Sequence, residues 1–152
     1  MEDKHMLMIP GPTPVPAKVL VSLGKHPIGH RSGDFSQIIA EINQNLKWLH
    51  QTKNEVLSLN VSGTGAMEAG MINFLSPGDR VLVGVNGKFG DRWAQICEVF
   101  GMNTERITAE WGKPLDTEEI RTKLEADTNK EIKAVVITHS ETSAGVLNDL
   151  ET

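Results

Sequence analysis

The stretch Asn54-Glu-Val-Leu-Ser-Leu-Asn-Val-Ser62-Gly-Thr-Gly-Ala-Met-Glu-Ala-Gly70 reads as a short apolar strand, Val56 to Val61, that turns through glycines into the first turn of a helix. A helix N-terminus carries unpaired backbone N–H groups and the positive end of the helix dipole, so such a junction can hold an anion. Gly63 and Gly65 would let a phosphate approach the main chain closely; the same glycines serve equally in a tight strand-to-helix turn with no ligand. Two familiar phosphate motifs do not fit. A dinucleotide fingerprint needs a third glycine where Glu68 sits, and a P-loop needs a Gly-Lys-Ser/Thr that the chain lacks.

Downstream of the junction, helical and extended patterns alternate. Ala66 to Leu75 reads as a helix, Ser76-Pro-Gly-Asp79 as a turn and Arg80 to Val85 as a strand. Asp91 to Phe100 reads as a helix with Trp93, Ile96, Cys97 and Phe100 on one face, followed by a short strand from Asn103 to Ile107. Asp116 with Glu119 offers a capping box for a helix to about Ala126, and Ile132 to Thr138 is a β-branched strand. These strands are continuous apolar runs, as expected of strands covered on both faces by crossover helices, so the fold class is α/β with an open, mainly parallel sheet. Upstream, Asp34 with Gln37 resembles a capping box, and Phe35, Ile38, Ile39, Ile42, Leu46 and Leu49 repeat at helical spacing through about His50. Residues 7 to 33, rich in proline and glycine, exclude a continuous helix or central strand and read as an ordered arm.

The chain has 152 residues, 39% of them hydrophobic, enough for one globular domain or part of a larger one. A formal net charge of −5 with no basic cluster points away from nucleic acid or an anionic membrane surface and toward a small metabolite. The single cysteine, Cys97, excludes an internal disulfide framework and is too few for an iron–sulfur cluster or a four-cysteine zinc site. Without a long apolar run or a signal-peptide pattern, a cytoplasmic location is expected. His26 and His30 are four apart, but Pro27 and Gly29 between them argue against a helical metal pair.

Ligands of such sheets lie outside the carboxyl ends of the strands, which brings three loops into consideration: Ser62-Gly-Thr-Gly-Ala66, Asn86-Gly-Lys-Phe-Gly90 and His139-Ser-Glu-Thr-Ser-Ala-Gly145. Together with Pro10-Gly-Pro-Thr-Pro14, His26-Pro-Ile-Gly-His-Arg-Ser32 and Ser76-Pro-Gly-Asp79, in this order, they resemble the N-terminal half of a class V, fold-type I pyridoxal-phosphate aminotransferase of the alanine–glyoxylate and serine–pyruvate branch. The resemblance extends to cyanobacterial members that carry the name of a soluble hydrogenase small subunit. It implies an N-terminal arm over residues 1–33 and, over residues 34–152, part of the cofactor-binding large domain and its mainly parallel sheet.

Residue by residue, the resemblance makes Thr64, Gly65 and Ala66 the cup for the cofactor phosphate. It makes Phe89 the aromatic that stacks on the cofactor ring, where relatives often have tryptophan, and Thr142 the hydroxyl that bonds the cofactor's phenolic oxygen. Taken alone, Phe89 could instead pack its own loop, the lesser of its two readings, and Thr142 could as well cap a turn. Gly11 and Gly29, with His30 and Arg31, fall where the family brings its arm near the substrate and the dimer partner; Arg31 reads as readily as a surface ion-pair residue. His139 at a strand end reads as a structural histidine.

None of the ten lysines matches the family's Schiff-base motif, and the expected pyridinium-pairing aspartate and carboxylate-binding arginine belong to parts of the family fold that follow these residues. The resemblance therefore implies a homodimeric enzyme, when full length, that moves an amino group from alanine or serine to glyoxylate or pyruvate, with no catalytic residue in this chain and no turnover by it alone. The alternative reading is a non-catalytic hydrogenase subunit or other interaction domain.

Overall fold

The computed structural model describes residues 7–151. The chain forms two compact units, Met1–Asn60 and Val61–Thr152.

In the first unit, α1 (Ala17–Leu23) and α2 (Gly33–Leu49) are the regular elements. Helix α1 is a short segment within the expected arm; it fits between Pro16 and Gly24, where seven consecutive residues carry neither proline nor glycine. Helix α2 is present as its apolar periodicity predicts, but the Asp34–Gln37 box is not its cap. Ser32 is the N-cap, its Oγ accepting from Phe35 N at 3.2 Å, while Asp34 lies in the first turn and favours the dipole from there. Lys47 in the last turn pairs with Glu55. The apolar stripe of α2 stays open: Ile38, Ile39 and Ile42 are all exposed, and none of the described residues of this unit is buried.

The second unit is built from α3 (Gly63–Ile72), β1 (Arg80–Val85), α4 (Lys88–Val99), β2 (Asn103–Thr108), α5 (Thr117–Ala126), β3 (Ile132–Val136) and the two-residue strands β4 (Ser140–Glu141) and β5 (Val146–Leu147). Strands β2, β1 and β3 form a parallel sheet in that order, with β1 in the centre, and β4 and β5 form a small antiparallel hairpin. The central strand is buried along almost its whole length, as its unbroken apolar run requires. Val81, Val83 and Val85 pack with Met71 and Leu75 from the α3 region and Ala94, Ile96 and Cys97 from α4. Leu82, on the opposite face, packs with Ile107 and with Ile120 of α5. Between Arg80 and Val81 the β1–β3 register shifts by one residue, so Ile132 joins the α5 face whereas Ala134 and Val136 line the α4 face.

The strand expected over Val56 to Val61 is not formed. Residues 55 to 62 have no regular structure, and Leu57 is 82% and Leu59 61% exposed. An apolar run becomes a strand only when a neighbouring strand takes up its N–H and C=O groups, and among the described residues no strand pairs with it. Helix α3 begins at Gly63 rather than Ala66 because Ser62 supplies its cap. Helix α4 begins at Lys88, three residues before the expected Asp91; the groups that hold this extra turn come from the β4–β5 hairpin.

Candidate cofactor site

Ser62 accepts twice at the start of α3, through Oγ from Gly65 N at 3.2 Å and through its carbonyl from Ala66 N at 3.0 Å. The N–H groups of Gly63 and Thr64, the first two residues of the same turn, have no acceptor among the described residues. A Cβ on Gly63 would meet nothing within 4 Å, so this glycine borders open space. Gly65 differs: a Cβ there would come within 2.9 Å of Val61 Cβ, so its lack of a side chain serves the chain's own packing. Thr64 Oγ1 accepts from Arg92 Nη1 at 2.8 Å, which brings a guanidinium from α4 to the first turn of α3.

The three helices of this unit differ at their N-termini in sign. Helix α5 has Asp116 as its cap with Glu118 and Glu119 in the first turn, and α4 has Asp91 in its first turn. Only α3 has a neutral cap and no acid in its first turn, so its positive end is uncompensated and reinforced by Arg92.

Phe89 stands in the first turn of α4, just beyond the carboxyl end of β1, and is 45% exposed. Arg92 follows it by three residues and therefore shares its face of the helix. The same face of α4 thus carries both the aromatic ring and the guanidinium bound to Thr64. Thr142 is exposed on the hairpin turn between β4 and β5, and its hydroxyl has no hydrogen-bond partner among the described residues.

Glu141, which the sequence did not single out, sits between the last two segments. It is fully buried. Its Oε2 accepts from Phe89 N at 3.0 Å and Gly90 N at 2.9 Å, and its Oε1 accepts from Ser143 Oγ at 2.5 Å and Ser143 N at 3.3 Å. Ser143 Oγ in turn accepts from Lys88 N at 2.8 Å. The hairpin thus caps α4 from more than fifty residues away, which explains why a helix preceded by Gly87 can start at Lys88. A Cβ on Gly87 would run into the Glu141 carboxyl group, so the glycine is required for this approach.

A second buried pair holds the base of the loops. Asn86 Nδ2 donates to Asn148 Oδ1 at 2.9 Å and to Lys113 O at 3.0 Å; Asn148 Nδ2 donates to Thr138 O at 2.8 Å and to Asn86 Oδ1 at 3.3 Å. Asn148 Oδ1 also accepts from Leu115 N at 3.0 Å. Both amides are therefore satisfied despite full burial, and together they join the ends of β1 and β3 to β5. His139 is exposed and contributes its carbonyl, which accepts from Asn148 N at 2.8 Å. Gly11, Gly29 and Arg31 are exposed residues of the first unit, and a Cβ on Gly11 or Gly29 would meet nothing within 4 Å. Among the described residues no helix is long and apolar enough to cross a membrane, and no group of three or more His, Cys, Asp or Glu could hold a metal ion.

Residues 9–152 match the family model for the class-V aminotransferases. The chain is 70% identical over 150 residues to the soluble hydrogenase 42 kDa subunit of Anabaena cylindrica, covering 99% of this chain and 39% of that protein. It is 37% identical over 145 residues to the serine–glyoxylate aminotransferase of Hyphomicrobium methylovorum, covering 95% of this chain and 36% of that one. Among solved structures, alanine–glyoxylate aminotransferase from Nostoc sp. superposes with a TM-score of 0.80 at 35% identity, over 94% of this chain and 37% of that one. The chain thus spans about two-fifths of the length of the relatives it matches. The parallel α/β sheet, the loops at its carboxyl edge and a family match over nearly every residue agree, and the chain belongs to the class-V aminotransferases, whose fold is that of the fold-type I pyridoxal-phosphate enzymes.

Proposed function

We propose that these residues form the cofactor-anchoring part of a pyridoxal-phosphate-dependent aminotransferase that moves an amino group from alanine or serine to glyoxylate or pyruvate. The observation that carries this reading is the start of α3: an uncompensated helix N-terminus with free Gly63 and Thr64 N–H groups, open space over Gly63, and Arg92 bound to Thr64. These features fit a dianionic phosphate monoester. The free N–H groups of Gly63 and Thr64 and the Thr64 hydroxyl would hold the phosphate, while Gly65 and Ala66, whose own N–H groups go to Ser62, would shape the turn around it; the half-exposed Phe89 would lie against the ring, and the free hydroxyl of Thr142 would donate to the phenolic oxygen. When bound, the cofactor supplies the electron sink on which amino transfer depends. The chain's own residues fix where that sink stands: α3 anchors one end, Phe89 restricts tilt, and Thr142 holds negative charge on the oxygen it faces. Gly11 and Gly29, which present open backbone, are proposed to border the amino-acid substrate. A homodimer in the cytoplasm is the proposed setting.

The test is to isolate the intact protein from its source, record its mass and cofactor absorbance, and assay amino transfer from serine and alanine to glyoxylate. A mass more than twice that of these residues, a bound-cofactor band and keto-acid formation are expected. An isolated protein that neither binds added pyridoxal phosphate nor transfers an amino group would overturn the reading.

A second reading rests on the name of the 70% identical Anabaena relative, a soluble hydrogenase subunit. On that reading the chain takes part in a hydrogenase assembly without using a cofactor. Hydrogen-dependent dye reduction that co-purifies with the intact protein, and persists when pyridoxal phosphate binding is abolished by Thr64→Val, would favour it.

A further inference from the structure

We propose that Glu141 is a positioning residue that ties the ring-facing Phe89 to the Thr142 hydroxyl, so that the two act on the cofactor as one rigid unit; this rests on the cofactor reading above. Every hydrogen bond of the buried carboxylate goes to one of the two segments that carry those residues. Oε2 takes the N–H groups of Phe89 and Gly90, and Oε1 takes the N–H and hydroxyl of Ser143, the residue after Thr142. Ser143 closes the ring of contacts by accepting from Lys88 N. Glu141 bonds three backbone N–H groups and the Ser143 hydroxyl, and none of these bonds is to the Thr142 hydroxyl, so its influence runs through geometry. Four donors converge on its two oxygens, and only a carboxylate offers acceptors at both ends. Burial raises the strength of these bonds and the cost of leaving any of them unmade. The α4 dipole adds to them, because the negative group lies at the positive end of the helix.

The arrangement makes a distinctive prediction. In Glu141→Gln one acceptor becomes an amide that must face N–H donors, so the hairpin and the first turn of α4 separate while the side-chain volume is kept. Phe89 and Thr142 both remain in the protein, yet their relative placement loosens. A hydroxyl that donates to the phenolic oxygen stabilises its negative charge, so loosening Thr142 should raise the pH at which the bound cofactor takes up its proton.

The experiment uses the intact protein. Pyridoxal phosphate is titrated by absorbance into the unsubstituted protein and into Glu141→Gln, with circular dichroism as the check on folding and the pH midpoint of the bound cofactor's absorbance as the second readout. Glu141→Gln is expected to bind about ten-fold more weakly and to show a higher pH midpoint. Thr142→Ala is expected to raise the midpoint in the unsubstituted protein and to add less than half that shift in the Glu141→Gln background. A folded Glu141→Gln with unchanged affinity and midpoint, or a full Thr142→Ala shift in both backgrounds, would overturn the proposal while leaving the cofactor reading in place. Failure of the unsubstituted protein to bind pyridoxal phosphate would instead remove the cofactor reading and the proposal with it. If Glu141→Gln does not fold, Ser143→Ala, which keeps the carboxylate and removes only the hydroxyl contacts, decides: a raised midpoint supports the coupling and an unmoved one overturns it.

Discussion

At the scale of single residues, Arg92 and Thr64 carry the sharpest expectation. Arg92 Nη1 occupies a lone pair of Thr64 Oγ1, which turns the hydroxyl proton outward as a donor and leaves positive charge beside the free N–H groups of α3. Arg92→Met should weaken binding of pyridoxal phosphate about ten-fold or more, equivalent to about 1.4 kcal/mol, and leave binding of dephosphorylated pyridoxal within about two-fold. Parallel absorbance titrations with the two compounds measure the difference; an equal loss for both would mean that Arg92 serves the ring or the fold instead. Cys97 gives a simpler expectation. Burial in the α4–β1 core pushes its thiol pKa up, so thiol reagents at neutral pH should label it only as the protein unfolds, with labelling and loss of circular dichroism following the same denaturant curve. Thr64, Phe89 and Thr142 could be proposed from the sequence because each lies in a short motif on which the family resemblance rests. Arg92, Glu141 and Asn148 were not, since their meaning comes from partners 28, 52 and 62 residues away, brought together only by the fold.

At the scale of elements, α4 approaches β1 so closely that backbone meets backbone. A Cβ on Gly90 would lie 2.5 Å from the carbonyl oxygen of Gly84, a backbone atom that cannot rotate aside, whereas a Cβ on Gly84 would meet the side chain of Leu115. Gly84→Ala should therefore cost about 1–3 kcal/mol, the usual range for overpacking a core, and Gly90→Ala more than Gly84→Ala, as read from urea unfolding midpoints. The turn from α5 into β3 carries a pH dependence. Asp127 accepts from Ile132 N at 2.8 Å and Glu131 N at 3.0 Å, and these bonds, chiefly the first, hold its carboxyl below the usual range. A carboxylate whose pKa is lower folded than unfolded stabilises the fold above its unfolded value and loses that contribution as the pH falls through its folded value. Glu105, lowered by Lys123 and then Arg80, acts in the same direction from β2. The unfolding midpoint should thus drop on acidification below the usual carboxylate range, and Asp127→Asn should be less stable near neutrality and show a shallower acid drop. Local pattern identified α2 and α4 through helical spacing of apolar residues, α5 through its capping residues, and β1 and β3 through their apolar, β-branched runs, while β2, with Ile107 as its one apolar residue, follows from its place between two helices. Local pattern failed at Val56 to Val61, where the apolar run is present but a pairing strand is not, and at the start of α4, where the cap is supplied from the hairpin.

Over the whole molecule, the distribution of burial separates the two units. The described buried residues all belong to Val61–Thr152 and centre on β1, α4 and their neighbours; within Met1–Asn60 no described residue is buried, and most apolar side chains of the two helices are exposed. Amide exchange of this chain should accordingly be slowest at Val81 to Val85 and Ala94 to Cys97 and fast throughout Ala17–Leu49, and limited proteolysis should cut among residues 17–60 before it cuts β1 or α4. Equal protection in the two units, measured by mass spectrometry, would contradict this picture. The buried Asn86–Asn148 pair has a bearing on biosynthesis as well. Asn86 lies at the end of the central strand, yet one of its two acceptors and the donor to its own carbonyl oxygen reside 62 residues later. While the polypeptide is still emerging from the ribosome, the carboxyl edge of the sheet holds an amide whose needs are half met, and water must serve it. Strand β1 and helix α4 can gather during synthesis, but the carboxyl edge of the sheet closes only when Asn148 has left the exit tunnel, so the loops along that edge are the last part of this unit to set.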